Sequence, residues 1–234
     1  MASISENTFG ARIKNAEDTV LILNSMADFK PLVPEDAPDQ VSKLINELKT
    51  ADQAEAVALQ NFSVNAATRR SLILTDATSL KKSVSPIRSY LQAMYSKADQ
   101  QFINLNKVLN QITGFKPGQD KKNPDEKSIS TSQQSYASLT QVFSDLIVIL
   151  QTLNPTYTPP NENITLAKLQ EKLQAITQAN AQVTILFNTL DTTRQKRNDL
   201  FKELSTRLKR IKKSVQSQYG NASAEYGKLK AYRY

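Results

Sequence analysis

The chain contains no cysteine, no histidine and no tryptophan among its 234 residues, and only five glycines. Without cysteine it can form neither a disulfide nor a thiolate metal site, and it has no thiol nucleophile. Without histidine it lacks the usual general base and the commonest transition-metal ligand. Iron and haem sites in helical bundles depend on histidine ligands, so these sites are excluded. We therefore expect no metal and no other cofactor.

Motifs of common catalytic sites are also missing. The sequence has no phosphate-binding glycine loop, no Gly-x-Ser-x-Gly turn and no acidic calcium loop. Serine, lysine and carboxylates are plentiful, but their spacing does not build a site. We expect a protein that is not an enzyme, and we infer no small-molecule substrate.

Long hydrophobic runs are absent as well. The longest, Leu146–Leu150, has five residues, whereas a bilayer-spanning helix needs roughly 20. The first residues show no basic region followed by an apolar stretch, as a secretory signal would. The expectation is a soluble, cytoplasmic protein, and the lack of cysteine is compatible with a reducing compartment.

What the chain does contain is a tandem duplication in a composition rich in Ala, Leu, Gln, Lys and Asn, which favours helix. Residues 41–69 align with 166–194 at a constant offset of 125, and nine of the 29 pairs are identical. Weaker matches extend the alignment in both directions, so any fold of one half must suit the other.

Clusters of proline mark the boundaries of the predicted elements, because proline interrupts helices. They predict a first repeat at 1–113, a glycine-bearing charged linker at 114–132 and a second repeat at 133–234. Each repeat would contain a short helix, a proline-rich turn and a much longer second helix. The two repeats are expected to pack together as one domain.

The short helices are predicted at about 7–28 and 133–153. The first long helix should begin near Pro38 and show a break or a kink near Pro86. The second should run from about Asn163 to Gly220, with no helix breaker between them.

A heptad pattern characterises the second long helix. Positions at alternating steps of three and four from Leu166 to Val215 are mostly apolar, which is typical of coiled-coil packing. The apolar residues of this heptad seam are Leu166, Leu169, Leu173, Ile176, Val183, Phe187, Leu190, Phe201, Leu204, Leu208, Ile211 and Val215. The first long helix keeps this pattern less strictly. The predicted fold is all-α: an elongated, four-helix-type bundle built from two tandem helical-hairpin repeats with long heptad-patterned second helices.

Polar residues interrupt the heptad seam at several positions. A buried guanidinium needs a carboxylate or access to solvent, and Glu55 and Asp76 are candidate partners. These interruptions favour a polar core layer that sets the helix register, and the alternative is an anion or ligand site. The candidate layer consists of Glu55, Arg69, Asn180, Arg194 and Arg197.

Positive charge is concentrated in the segment 194–213, where nine cations and two acids give +7 of the chain's net +8. Such a face could be a solvated coiled-coil surface or a binding surface for phosphates or anionic lipid. The segment contains one aromatic residue, Phe201, and lacks the repeated aromatics on which bases stack in single-strand binders. The candidate basic surface is Arg194, Lys196, Arg197, Lys202, Arg207, Lys209, Arg210, Lys212 and Lys213.

Three functions are compatible with these patterns. The leading one is a scaffold or interaction protein that self-associates or binds a protein partner through its long helices, because the short helices cannot cover the whole apolar stripe. The second is electrostatic binding of nucleic acid, ribosome or an anionic membrane through 194–213. The third is a pore-forming or membrane-remodelling protein, suggested by long helices and the run Leu146–Leu150. The C-terminal tyrosines, which include Tyr-Arg-Tyr at 232–234, are expected to dock on the protein itself.

Overall fold

The protein is all-helical in a computed structural model that describes residues 9–26, 28–114, 134–153 and 156–234. Seven α-helices and no strand occur in these ranges. The helices are α1 (Phe9–Asn24), α2 (Pro38–Arg70), α3 (Leu80–Met94), α4 (Gln100–Thr113), α5 (Tyr136–Gln151), α6 (Leu166–Tyr219) and α7 (Ala224–Lys230). The predicted all-α class is confirmed.

The long helix α6 has 54 residues and is roughly 80 Å long at 1.5 Å per residue. It follows a short 3-10 turn at Glu162–Ile164. It ends before Gly220, whose φ of 91° lies in the left-handed region that glycine adopts without strain. The heptad pattern and the glycine therefore predicted both ends of this helix to within a few residues.

The first long helix breaks earlier than its proline predicted. Pro86 lies inside α3, and the interruption occurs at 76–79, after a π-helical turn at Ser71–Thr75. The Asp76 carboxylate accepts hydrogen bonds from the Thr78 backbone N–H and hydroxyl, both at 2.7 Å. This local turn competes with helix hydrogen bonding, so the break expected near residue 86 was misplaced.

The chain divides into two compact units. Unit 1 consists of residues 1–60 and 188–234, and unit 2 consists of residues 61–187. Each unit thus combines segments from both predicted repeats. The predicted linker at 114–132 lies outside the described residues except for Gly114.

Unit 1 has a core formed by α1, the first part of α2, the last part of α6 and α7. Apolar residues at helical spacing on α6 supply one side of it, with Leu204, Leu208, Ile211 and Val215 all buried. These residues belong to the predicted heptad seam, so the seam forms the core in this unit.

Unit 2 has a core formed by α3, α4, α5 and the first part of α6, around the fully buried Phe143. The turn before α6 is held by the Tyr157 hydroxyl, which donates to the Ile164 carbonyl at 2.9 Å. The rings of Tyr157 and Tyr90 meet edge to face with centroids 5.2 Å apart. Burial raises the pKa of Tyr157, so this hydroxyl stays protonated and can donate.

Candidate functional site

Glu55 is the centre of a buried ion network in unit 1. Its side chain is only 9% exposed and pairs with Arg194 (Nε to Oε1, 2.9 Å) and, through its other oxygen, with Arg197. The Arg197 guanidinium also lies 4.3 Å from the centroid of the Phe9 ring. Three of the five candidate polar-layer residues are thus brought together, and Glu55 is the carboxylate that both arginines use.

The other two polar-layer residues lie in unit 2 and form no ion pair with a described residue. Arg69 stacks over the Tyr136 ring at 4.1 Å. Asn180, which aligns with Glu55 in the duplication, donates to the Thr140 hydroxyl at 2.9 Å. Asp76 was the second candidate partner for an arginine, and its carboxylate instead bonds to Thr78. The predicted layer is therefore ionic in unit 1, whereas in unit 2 it consists of a cation–π contact at Arg69 and a hydrogen bond at Asn180.

Much of the candidate basic surface is engaged in contacts within unit 1. Arg210 forms a two-bond pair with the Asp36 carboxylate, whose residue is 1% exposed. Arg207 pairs with Glu203 and donates to the Glu35 carbonyl at 2.8 Å. The ammonium group of Lys212 donates to the backbone carbonyl oxygens of Lys230 and Tyr232.

Four lysines of that segment remain exposed and make no ion pair or hydrogen bond with the described residues. They are Lys196, Lys202, Lys209 and Lys213. The remaining five cations (Arg194, Arg197, Arg207, Arg210 and Lys212) hold carboxylates and carbonyls of unit 1. The nine-residue surface predicted from the sequence is thus reduced to four lysines, because the arginines find partners from distant parts of the chain.

The C-terminal residues dock on α1, as expected. The hydroxyls of Tyr234 and Thr19 share a hydrogen bond of 2.6 Å, and Asn15 donates to the Arg233 carbonyl at 3.1 Å. Burial raises the pKa of Tyr234 to about 12, although the hydrogen bond to Thr19 acts in the opposite direction.

We expect the docked tail to be lost at alkaline pH. An unfolded tyrosine titrates near pH 10, and a raised folded pKa means that the stabilisation is complete below about pH 10 and disappears as pH rises through about 12. Tyrosinate absorbance should therefore show a late-titrating group that Tyr234→Phe removes. Identical late titration in both proteins would contradict this assignment.

A buried serine–lysine pair lies in unit 2. Lys172 Nζ donates to Ser83 Oγ at 2.5 Å, and burial lowers the pKa of Lys172. A lysine of lowered pKa can activate a serine nucleophile. The Ser83 hydroxyl, however, is buried and donates to the Ser79 carbonyl at 3.0 Å. A substrate cannot reach it in this conformation, so the pair binds α6 to α3.

An open cleft in unit 1 encloses about 510 Å³. Acidic and basic side chains line this cleft. Its two arginines, Arg207 and Arg210, already pair with carboxylates. Within the described ranges no three acidic side chains converge on a possible metal position. Lys202 is an unpaired cation in the lining, but the lining holds no carboxylate cluster, so the cleft does not by itself define a ligand.

A surface that the sequence patterns did not single out lies in unit 2, on the long helices. The exposed fractions of Val64, Ile185 and Phe187 are 52%, 58% and 53%. Phe187 lies on the predicted heptad seam, which the short helices were expected to cover only in part. We call residues 61–68 of α2 and 173–187 of α6 the uncharged belt.

The belt lacks charged residues entirely. α2 has none between Glu55 and Arg69, and α6 has none between Lys172 and Asp191, in a chain that is 22% charged. Exposed helix faces in soluble proteins are normally rich in charge. The length of these charge-free stretches was the sequence signal that could have revealed the belt.

The two helices of the belt run antiparallel. Phe62 and Phe187 contact each other with ring centroids 6.0 Å apart. Further along, Arg69 lies on Tyr136 and Asn180 bonds to Thr140, one turn away on α5. α5 begins at Tyr136 and covers the pair only from there, which leaves the side chains around Phe62 and Phe187 open to solvent.

None of the described helices is both long enough and apolar enough to cross a membrane. Of the short apolar run at 146–150, Leu146, Ile147 and Leu150 are buried in the core of unit 2.

No protein-family model matches the chain, and no curated protein or solved structure is significantly similar to it. The belt and the four exposed lysines are therefore the features on which a functional proposal depends.

Proposed function

We propose that this protein is a non-enzymatic helical scaffold that binds protein surfaces through its long helices, either another copy of itself or a different partner. The observation that carries the proposal is the exposure of Val64, Ile185 and Phe187 on stretches of α2 and α6 that contain no charged residue. Burial of apolar surface is the main driving force of protein association, and exposed apolar patches on stable helices are typical of interaction sites.

The proposed architecture is that of a duplicated helical hairpin in which α2 and α6 pair as in a coiled coil. Two observations favour it. Phe62 and Phe187, which align in the duplication, contact each other. The α6 seam residues Ile176, Val183 and Leu190 are all buried.

The test compares the wild-type chain with the variant Val64→Lys/Ile185→Lys. Both should be assayed for self-association by sedimentation and for partners by affinity capture. We expect at least one form of binding by the wild type that the variant loses. A wild-type chain that neither self-associates nor captures anything lost by the variant would refute the interaction function.

A second candidate is electrostatic binding of a polyanion, favoured by the four exposed lysines at 196, 202, 209 and 213. Retention on heparin or anionic liposomes should fall steeply with salt. Charge reversal of these four lysines should abolish it, whereas Arg210 and Lys212 must be kept because they hold Asp36 and the tail. Retention that is indifferent to the four reversals would eliminate this candidate.

A further inference from the structure

We infer that unit 1 binds the phosphate backbone of a nucleic-acid duplex through one face of α6, which presents Lys202, Lys209 and Lys213. We call these three residues the lysine face. The inference rests on the second candidate function, polyanion binding, and specifies the polyanion. Three observations carry it. The lysines lie along one line, they lack internal partners, and the residues around them suit phosphate groups rather than lipid or unpaired bases.

The lysine face is a straight line along α6. Each residue turns about 100° around an α-helix, so spacings of seven and four residues place the three lysines within about 40° of one another. They lie opposite the buried Leu208 and Ile211 and extend over roughly 16 Å. Lys196 is turned about 120° away from Lys202 and lines a different cleft together with Glu47. Three of the four exposed lysines therefore form one surface, and the fourth does not belong to it.

The ion pairs of unit 1 leave the lysine face free. Arg207 and Arg210 are bound to carboxylates, whereas the three ammonium groups make no ion pair or hydrogen bond with the residues that the structure describes. Glu203 pairs with Arg207, and α6 contains no acidic residue after it. Asp199 lies about 60° to one side of Lys202. The face is therefore positively charged over most of its length.

The helix α7 adds lysines beside this face. Lys212 Nζ donates to the Lys230 carbonyl at 2.7 Å, which holds the end of α7 against α6. Lys212 is turned only about 60° from Lys209, so α7 ends next to the lysine face. Lys228 and Lys230 are exposed, and their ammonium groups make no ion pair or hydrogen bond within the described ranges. Three to five unpaired lysines are thus available to one ligand.

The chemistry of the face suits phosphate groups. A lysine ammonium binds phosphate oxygens as a point charge. Asn198, Ser205 and Ser217 lie within about 60° of the same line, and their side chains are neutral hydrogen-bond donors. Contacts of lysines and such polar groups with phosphate oxygens fix a protein on a nucleic acid without reading its sequence.

The surroundings favour a nucleic-acid duplex over a membrane or a single strand. Residues 188–234 contain none of the large apolar side chains that are exposed in the described part of the chain, so no such side chain there can insert among lipids. The ring of Phe201 packs on Phe9 with centroids 4.7 Å apart, which leaves no ring along the face for a base to stack on. A DNA duplex carries about one negative charge per 1.7 Å, so the face meets roughly ten phosphates.

Anisotropy of a labelled DNA duplex of about 24 base pairs, titrated with the full chain at about 50 to 200 mM salt, tests the inference. Three to five phosphate contacts predict a slope of log K against log salt between about −2.7 and −4.5. Tripling the salt concentration should therefore weaken binding roughly 20-fold or more. A duplex of unrelated sequence should bind equally well, because phosphate contacts carry no sequence information.

Two matched triple variants locate the site. Lys202→Gln/Lys209→Gln/Lys213→Gln should weaken duplex binding about tenfold or more at low salt and make the slope less steep, since each lost contact removes about 0.9 from it. The control is Lys97→Gln/Lys107→Gln/Lys196→Gln, which removes the same three charges from exposed positions off the face. It should bind within about twofold of the wild type. Circular dichroism should show unchanged helix content in both variants.

Heparin and vesicles of phosphatidylserine and phosphatidylcholine separate this inference from the broader candidate function. Retention on heparin that the first triple variant loses, without duplex binding at low salt, would overturn the inference and leave polyanion binding intact. Tighter binding to the vesicles than to the duplex would overturn it as well. Equal losses of duplex binding in the two triple variants would show an effect of net charge and would also contradict it. A wild type that neither heparin nor the duplex retains would remove both the inference and the candidate function.

Discussion

Replacing Arg210 with methionine should lower the free energy of unfolding of unit 1 by about 3 kcal/mol. The Arg210 guanidinium makes two bonds to Asp36, and Asp36 is almost fully buried. Methionine keeps the apolar stem of arginine but leaves the carboxylate buried without a partner, which typically costs about 3 to 5 kcal/mol. We expect a loss at the lower end of this range because the Arg210 side chain is partly exposed, so water can solvate part of the site. Urea denaturation followed by circular dichroism measures the change.

The matched control for this prediction is Lys209→Met. Lys209 is the exposed neighbour of Arg210. Because Lys209→Met removes the same charge without breaking a buried pair, we expect it to change the free energy of unfolding by less than about 0.5 kcal/mol. Adding Asp36→Asn to Arg210→Met should recover part of the stability, because the buried group is then neutral. Equal effects of the two single substitutions would show that the Asp36 pair contributes nothing specific.

The second large effect is expected at Glu55. Glu55→Leu should destabilise unit 1 by about 2 kcal/mol, because it removes the carboxylate that both Arg194 and Arg197 use. Arg194 can turn to solvent, but Arg197 is largely covered and stacks on Phe9. The Arg197 guanidinium then keeps a single ion-pair contact, which is with the Asp52 carboxylate at 3.5 Å. Urea denaturation measures this loss too.

A double variant distinguishes an ion network from a simple change in packing. Arg197→Leu added to Glu55→Leu should restore part of the loss, since paired replacement of a buried ion pair by apolar groups is often close to neutral. Glu47→Leu, at an exposed position on the same helix, should change stability by less than about 0.5 kcal/mol. Additive losses in the Glu55/Arg197 double variant would contradict the network.

The elements with a strong periodic signal were predictable from the sequence. α6 follows from a heptad pattern that contains no helix breaker and that a glycine ends, and the short helices follow from proline-flanked segments. The break at 76–79 was not predicted, because it depends on hydrogen bonds from the Asp76 side chain rather than on a proline. Pro86 lies in the middle of α3, which continues through it.

The candidate sites depended on contacts that no local pattern encodes. Arg210 and Asp36 are 174 residues apart, and Lys172 and Ser83 are 89 apart. Counting charges along 194–213 therefore predicted a candidate surface of nine cations, whereas five of them bond to carboxylates and carbonyls of unit 1. Phe187 is a heptad position that remains 53% exposed, and the short helices were expected to leave part of the apolar stripe uncovered.

The central claim is that the uncharged belt becomes covered when the protein associates, and thiol labelling tests it most directly. The chain has no cysteine, so Val64→Cys, Ile185→Cys or Leu21→Cys each supplies a single thiol. Labelling rates should be measured for the chain alone at about 1 and about 200 micromolar, and with any partner that affinity capture recovers. The account predicts slower labelling of Val64→Cys, Ile185→Cys or both at high concentration or with the partner, and an unchanged rate for Leu21→Cys. Equally fast labelling at both belt positions under all of these conditions would contradict it.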